Sequence, residues 1–112
     1  MGIISPVGNR LDVAWSNVLE GVSGITQIED FDTSTFPTRI AGLVKDFNVD
    51  TYLSKKDQRK NDPFIHYGVA ATMDAIADSG LEITEDNGRT IGIGMGSGIG
   101  GIKSIEDNHN KM

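Results

Sequence analysis

The sequence has no cysteine and only two histidines among its 112 residues. Without cysteine there is no disulfide scaffold, no thiol nucleophile and no cysteine-rich zinc site. His66 and His109 have no further ligands at metal spacing, so a metal centre is not expected, and His66 is predicted at the surface or its rim. Neither a Cys–His nor a Ser–His–Asp arrangement can be assembled, so we predict no catalytic residue in this chain.

An excess of positive charge and a long apolar run are also missing. The net charge is −6 and the pI about 4.7, which argues against general affinity for nucleic acid or anionic membranes. No apolar run approaches the ~20 residues of a membrane span, and no secretion signal precedes the first predicted helix. The hydrophobic content of 38% is enough for a core. We therefore expect one soluble, cytoplasmic domain or a piece of one.

Local patterns predict a helix and a strand in the first half. Apolar residues at helical spacing form one stripe from Leu11 to Leu19. Asn9 is predicted to cap this helix, and Gly21 is predicted to follow its end. Residues 39–47 are predicted to form a strand that Gly42 interrupts.

The longest predicted helix begins after Asp62, with Pro63 at its first position, and ends at Ser79 before Gly80. Its polar strip is narrow, so the helix is apolar over most of its circumference. Such a helix is packed between layers, and its small alanines permit close approach of those layers. We expect it to need more cover than the rest of this chain supplies.

Glycine is concentrated in residues 91–101, which hold six of the 14 glycines. The segment is predicted to begin as a strand, to become a loop and to lead into a helix that starts near Ile102 and Ile105. The predicted order is helix, strand, helix, strand, helix, an α/β pattern that we interpret as cut at both ends.

The loop Gly96-Ser97-Gly98-Ile99-Gly100-Gly101 matches the dinucleotide fingerprint G-x-G-x-x-G. A lone match is weak, and a tight structural crossing is the favoured interpretation, with a dinucleotide-binding domain as the alternative. A nucleophile elbow around Ser97 would need the pattern G-x-S-x-G, but positions 95 and 99 are Met and Ile. A buried hydroxyl bonded to nearby backbone is therefore favoured over catalysis.

Four of the ten cations fall within six residues. Ser54 to Asp57 form a capping box, which predicts a helix from Lys55 and places all four cations on one face. A solvated helix face and a docking patch for an acidic partner are equally compatible with this pattern. We call these residues the basic cluster: Lys55, Lys56, Arg59 and Lys60.

Together these stretches resemble the N-terminal part of the β-ketoacyl-acyl-carrier-protein synthases, most of all the type II condensing enzymes. The resemblance extends over nearly the whole chain in the order and spacing of that family, and is far more specific than any single motif. The matching stretches are residues 5–9, 21–25, 31–34, 41–48, 53–60, 78–84 and 96–101.

The resemblance implies part of the N-terminal half of a thiolase-like α/β/α/β/α fold, without its first strand, in a homodimeric parent enzyme. It implies decarboxylative condensation of acyl groups with malonyl-carrier protein, with no cofactor, by a cysteine and two histidines that lie downstream of this chain. It further implies that the basic cluster docks the acidic acyl carrier protein and that Ile99 lines the acyl pocket near the dimer interface. A non-catalytic carrier-binding module is a further alternative.

Overall fold

Four α-helices, one 3-10 helix and one pair of short antiparallel strands make up the regular structure, and the computed structural model describes residues 1–112. The α/β class is as predicted, but the predicted order of elements is wrong, because both strands lie between the first two helices. In chain order the elements are α1 (Leu11–Leu19), β1 (Ile25–Gln27), β2 (Ile40–Gly42), a 3-10 helix (Val49–Thr51), α2 (Lys55–Gln58), α3 (Pro63–Ser79) and α4 (Ile102–His109).

Helix α1 follows its apolar stripe but is not capped as predicted. Arg10 occupies the N-cap position without a side-chain cap, while the amide of Asn9 donates a 2.6 Å hydrogen bond to the carbonyl of Lys45. The prediction for Asn9 is therefore wrong, because a partner 36 residues away takes its side chain. The helix ends as expected, with Gly21 just beyond it at φ 70°.

The predicted strand at residues 39–47 is much shorter in the structure. Only Ile40–Gly42 pairs, in the register Ile25↔Gly42, Thr26↔Ala41 and Gln27↔Ile40. Beyond Gly42 the chain leaves the ladder, and Asp46 adopts a φ of 53°. In the loop that connects β1 to β2, the rings of Phe31 and Phe36 meet edge to face, with their centroids 5.8 Å apart.

Helix α3 has the bounds that the sequence predicts. Pro63 opens it, and Gly80 closes it in the left-handed conformation, at φ 66°. Its 17 residues give a length of about 25 Å. Ala70 is the only residue of the helix that is fully buried. No helix of the chain combines the length and apolar character that crossing a bilayer requires.

The N-terminal segment packs on one side of α3. The N-terminal segment crosses it so closely that a Cβ on Gly2 would lie 1.9 Å from the carbonyl oxygen of Ala71, so only glycine fits there. The N-terminal ammonium group pairs with Asp78. These contacts cover one side of the helix near its C-terminal end.

An aromatic cluster covers a second side of α3. The ring of Phe47 stacks on Tyr52 at 5.9 Å and meets Tyr67 of the helix edge to face at 5.1 Å. The Tyr52 hydroxyl donates a 3.0 Å hydrogen bond to Asp74. Burial, together with this bond to Asp74, raises the pKa of Tyr52 above its ordinary value. The cluster therefore anchors the approach to α2 on the long helix.

Many large apolar side chains of the chain are exposed. Its accessible surface is 8730 Å², against about 6,000 Å² for a compact protein of this mass. Its radius of gyration is 17.0 Å, whereas a compact domain of this length has a radius of gyration of about 13 Å. Only four residues are buried, and the apolar stripe of α1 is exposed at Trp15, Val18 and Leu19. These dimensions agree with the expectation that α3 needs more protein packed around it than this chain provides.

We predict that the isolated 112-residue chain binds a hydrophobic dye and self-associates as its concentration rises, because its apolar faces are open to water. Dye fluorescence and light scattering measure both, with a compact protein of equal length as the control. A monomer that melts in one sharp transition without binding dye contradicts the prediction.

Candidate functional site

Helix α2 carries the first half of the basic cluster and is capped as the sequence predicts. The Asp57 N–H donates to the Ser54 hydroxyl oxygen at 3.2 Å, and that hydroxyl donates to the Asp57 carboxylate at 2.6 Å. The helix is a single turn, so the four cations do not share a long helical face. Arg59 is its C-cap, and Lys60 lies in the turn that follows.

All four cations of the basic cluster are exposed, but their partners differ. The ammonium of Lys55 lies 2.5 Å from a carboxylate oxygen of Asp50. The hydrogen bonds from Lys55 and then Gln58 hold the pKa of Asp50 below its usual value. Lys56, Arg59 and Lys60 form no ion pair within the chain. The cluster therefore presents three uncompensated positive charges to solvent.

The strand predicted at the start of the glycine-rich segment 91–101 is absent, so that prediction is wrong, whereas the loop predicted after it and the helix from Ile102 are present. A strand needs a hydrogen-bonded neighbour, and no segment of these 112 residues pairs with it. A Cβ added at Gly92, Gly94, Gly96 or Gly98 would meet open space. No parallel strands flank the loop, so it lacks the βαβ setting that gives the dinucleotide fingerprint its meaning.

The last two glycines of the loop have a definite structural role. Gly100 has a φ of 80°, and a Cβ there would lie 3.4 Å from the ring of Phe64. At Gly101 a Cβ would lie 1.6 Å from a carboxylate oxygen of Asp62. The other carboxylate oxygen of Asp62 accepts a hydrogen bond from the hydroxyl of Ser104. The start of α3 therefore holds the end of the glycine-rich loop and the start of α4.

Asp62 lies at the N-cap position of α3, as the sequence predicts, but its side chain does not cap that helix. Its carboxylate instead accepts a hydrogen bond from the hydroxyl of Ser104, 42 residues further along the chain. Ser97, in the middle of the loop, accepts a 3.1 Å hydrogen bond from the N–H of Gly100, as expected of a hydroxyl bonded to nearby backbone. It is exposed rather than buried, and that part of the prediction is wrong.

An apolar groove of about 580 Å³ runs between α3 and the residues that enter the loop. One wall consists of α3 side chains, and the other of the segment around Met95. Ile99 is not part of the lining and is 70% exposed. The lining residues are Phe64, Ile65, Gly68, Val69, Thr72, Met73, Ile76, Ile93, Met95, Gly96 and Ser97.

The two histidines lie apart from any cluster of ligands. His66 on α3 is half-buried, as its predicted place at the rim implies, and its Nε2 atom is enclosed without a hydrogen-bond partner. His109 is exposed in the last turn of α4. No three groups among histidine, aspartate and glutamate converge in a way that could hold a metal ion.

Three features of this region are not evident from local sequence patterns. Asp50 lies in the 3-10 helix, five residues before Lys55, and its carboxylate pairs with that lysine only because of how the chain turns there. The bond between Asp62 and Ser104 joins residues too distant to be paired by spacing. The groove lining beside Met95 depends on how the loop folds back on α3. The capping box is a sequence signal that does locate the cluster.

Comparison with known proteins gives consistent matches along the whole chain. The family model for the N-terminal domain of β-ketoacyl synthase matches residues 1–112. The chain is 55% identical to 3-oxoacyl-[acyl-carrier-protein] synthase 2 of Vibrio harveyi and 54% identical to the protein of that name in Vibrio cholerae. It is 38% identical to the Staphylococcus aureus protein of the same name. Each match covers 100% of this chain and 27%, 27% and 28% of the respective relative.

Proposed function

This chain belongs to the β-ketoacyl synthase family, and on that basis we propose that it works as the N-terminal part of a 3-oxoacyl-[acyl-carrier-protein] synthase. The observation that carries the proposal is 55% identity to such an enzyme across all 112 residues. The proposed activity is an acyl transfer of fatty-acid synthesis in the cytoplasm. The proposed fold of the whole enzyme is the layered thiolase-like arrangement, in which other sheets cover α3, and the enzyme is a homodimer.

The proposed reaction joins an acyl group to malonyl-carrier protein. A cysteine thiolate carries the acyl group as a thioester, and loss of CO₂ from the malonyl group leaves a carbanion that attacks the thioester carbonyl. The thiolate then leaves, and the longer 3-oxoacyl chain stays on the carrier. This chain has no cysteine, so it supplies binding surfaces rather than the nucleophile and is inactive alone. We propose no cofactor.

We propose that the chain contributes to acyl binding at the glycine-rich loop. The groove between α3 and this loop has apolar walls, which suit an acyl chain. Ile99 follows the groove-lining Ser97 by two residues and is exposed, so it is available for contact with the acyl chain or with the second subunit. The open space around Gly96 and Gly98 leaves the backbone accessible to either.

We propose that the basic cluster docks acyl carrier protein. Lys56, Arg59 and Lys60 are exposed and free of internal ion pairs, in a chain whose net charge is −6. A local positive patch on an acidic protein attracts an acidic partner and raises its association rate. Because the loop and the cluster meet the same end of α3, a docked carrier lies near the proposed acyl groove.

Replacing the matching residues of the Vibrio harveyi synthase with this chain tests the proposed activity. We expect condensation at a rate within about tenfold of the parent's, which allows ~1.4 kcal/mol of misfit at the new contacts. Chain elongation from acyl-carrier and malonyl-carrier substrates is the measurement. The isolated chain serves as the control and should acquire no acyl thioester. A soluble, folded chimera without condensation activity contradicts the proposal.

Reversing the charge at Lys56 and Arg59 tests the docking surface. We expect the Lys56→Glu, Arg59→Glu variant to bind acyl carrier protein about tenfold more weakly at low salt, and the difference to shrink as salt screens the charges. The matched control reverses Arg89 and Lys111, which are exposed and lie outside the cluster. Equal weakening by both pairs would show that net charge, rather than this surface, governs binding.

A further inference from the structure

The carboxylate of Asp50 lies beside the basic cluster and opposes its charge. Asp50 is fixed at the 3-10 helix that precedes α2, where its N–H donates a 3.1 Å hydrogen bond to the side chain of Asn48. Its carboxylate lies 2.5 Å from the ammonium of Lys55. It also accepts a 2.7 Å hydrogen bond from the amide of Gln58.

Gln58 holds this arrangement in place. Its amide nitrogen donates both to Asp50 and, at 2.8 Å, to the carbonyl of Leu53. The carboxylate thus meets α2 at two points one turn apart, Lys55 at its beginning and Gln58 at its end. Asp57, the other carboxylate of this segment, differs because it bonds to Ser54 in the capping box and pairs with no cation. Asp50 is therefore the acidic group of this surface that neutralises one of its cations.

We propose that Asp50 acts as an internal competitor for acidic partners of the basic cluster, and so weakens and shortens docking of the carrier protein. The inference rests on the proposed function for the identity of the partner. A carboxylate that approaches Lys55 must displace Asp50 or accept its repulsion. Lys56, Arg59 and Lys60 provide the electrostatic attraction for the carrier, whereas Lys55 is paired with Asp50 when the carrier first approaches. A carrier that must exchange repeatedly benefits from such weakened binding.

Asp50→Asn is the direct test, because it removes the charge and preserves the shape and the oxygen that accepts from Gln58. The chimera in which this chain replaces the matching residues of the Vibrio harveyi synthase is immobilised at low density and is exposed to acyl carrier protein and, separately, to poly-L-glutamate. We expect Asp50→Asn to bind both probes about two- to fivefold more tightly, the range of an exposed ion pair. The gain should appear as faster association and slower dissociation, and it should fall with added salt.

Asp12→Asn is the matched control. Asp12 is also exposed and pairs with a cation, Arg10, at 2.9 Å, but it lies outside the basic cluster. Both substitutions change the net charge equally, so only a local effect separates them. A double-mutant cycle with Lys55→Gln completes the design, since the effect of Asp50→Asn should shrink once Lys55 carries no charge.

The outcomes distinguish this inference from the proposed function. If the Asp50→Asn variant binds poly-L-glutamate more tightly but neither it nor the parent binds the carrier, the competing role of Asp50 is supported. The same result contradicts the proposal that the carrier docks here. Carrier binding that Asp50→Asn leaves unchanged or weakens overturns the competitor and leaves docking intact, because Asp50 would then position Lys55 or do nothing. An equal gain from Asp12→Asn also overturns it.

Discussion

Every part of the candidate site depends on helix α3 and on how its apolar surface is covered. The N-terminal segment crosses it at Gly2, the aromatic cluster meets it at Tyr67, and the glycine-rich loop meets it at Phe64. These contacts leave much of the helix open, since Met73 is 46% exposed and only Ala70 is fully buried. Burial of apolar side chains is the main source of stability, so this helix sets the need for further cover.

The corner between α2 and α3 joins the two proposed functional surfaces. The basic cluster ends at Lys60. Two residues later, the carboxylate of Asp62 accepts a hydrogen bond from Ser104 of α4 and packs against Gly101. The basic cluster and the glycine-rich loop are therefore held by neighbouring residues at the start of α3. This short separation suits the proposed function, in which an acyl group that arrives on a carrier must enter a nearby apolar site.

The sequence predicts the elements whose signals are local. The capping box at Ser54 and the Pro63 and Gly80 boundaries of α3 need only neighbouring residues, and all three predictions are confirmed. The strand predicted at the start of residues 91–101 and the full strand predicted at 39–47 are wrong, because a strand exists only with a partner. Asn9 and Asp62 bond to residues far along the chain, and no spacing rule reveals such partners. Resemblance along the chain predicts the family, which the comparisons confirm, whereas the roles of Ile99 and of the basic cluster stay predictions.

Hydrogen exchange of the α3 amides measures most directly whether this helix depends on cover from outside the chain. The account predicts weak protection along Pro63–Ser79 in the isolated chain and strong protection when the chain replaces the matching residues of the Vibrio harveyi synthase. Equal protection in both would contradict it, because α3 would then be stabilised by these 112 residues alone.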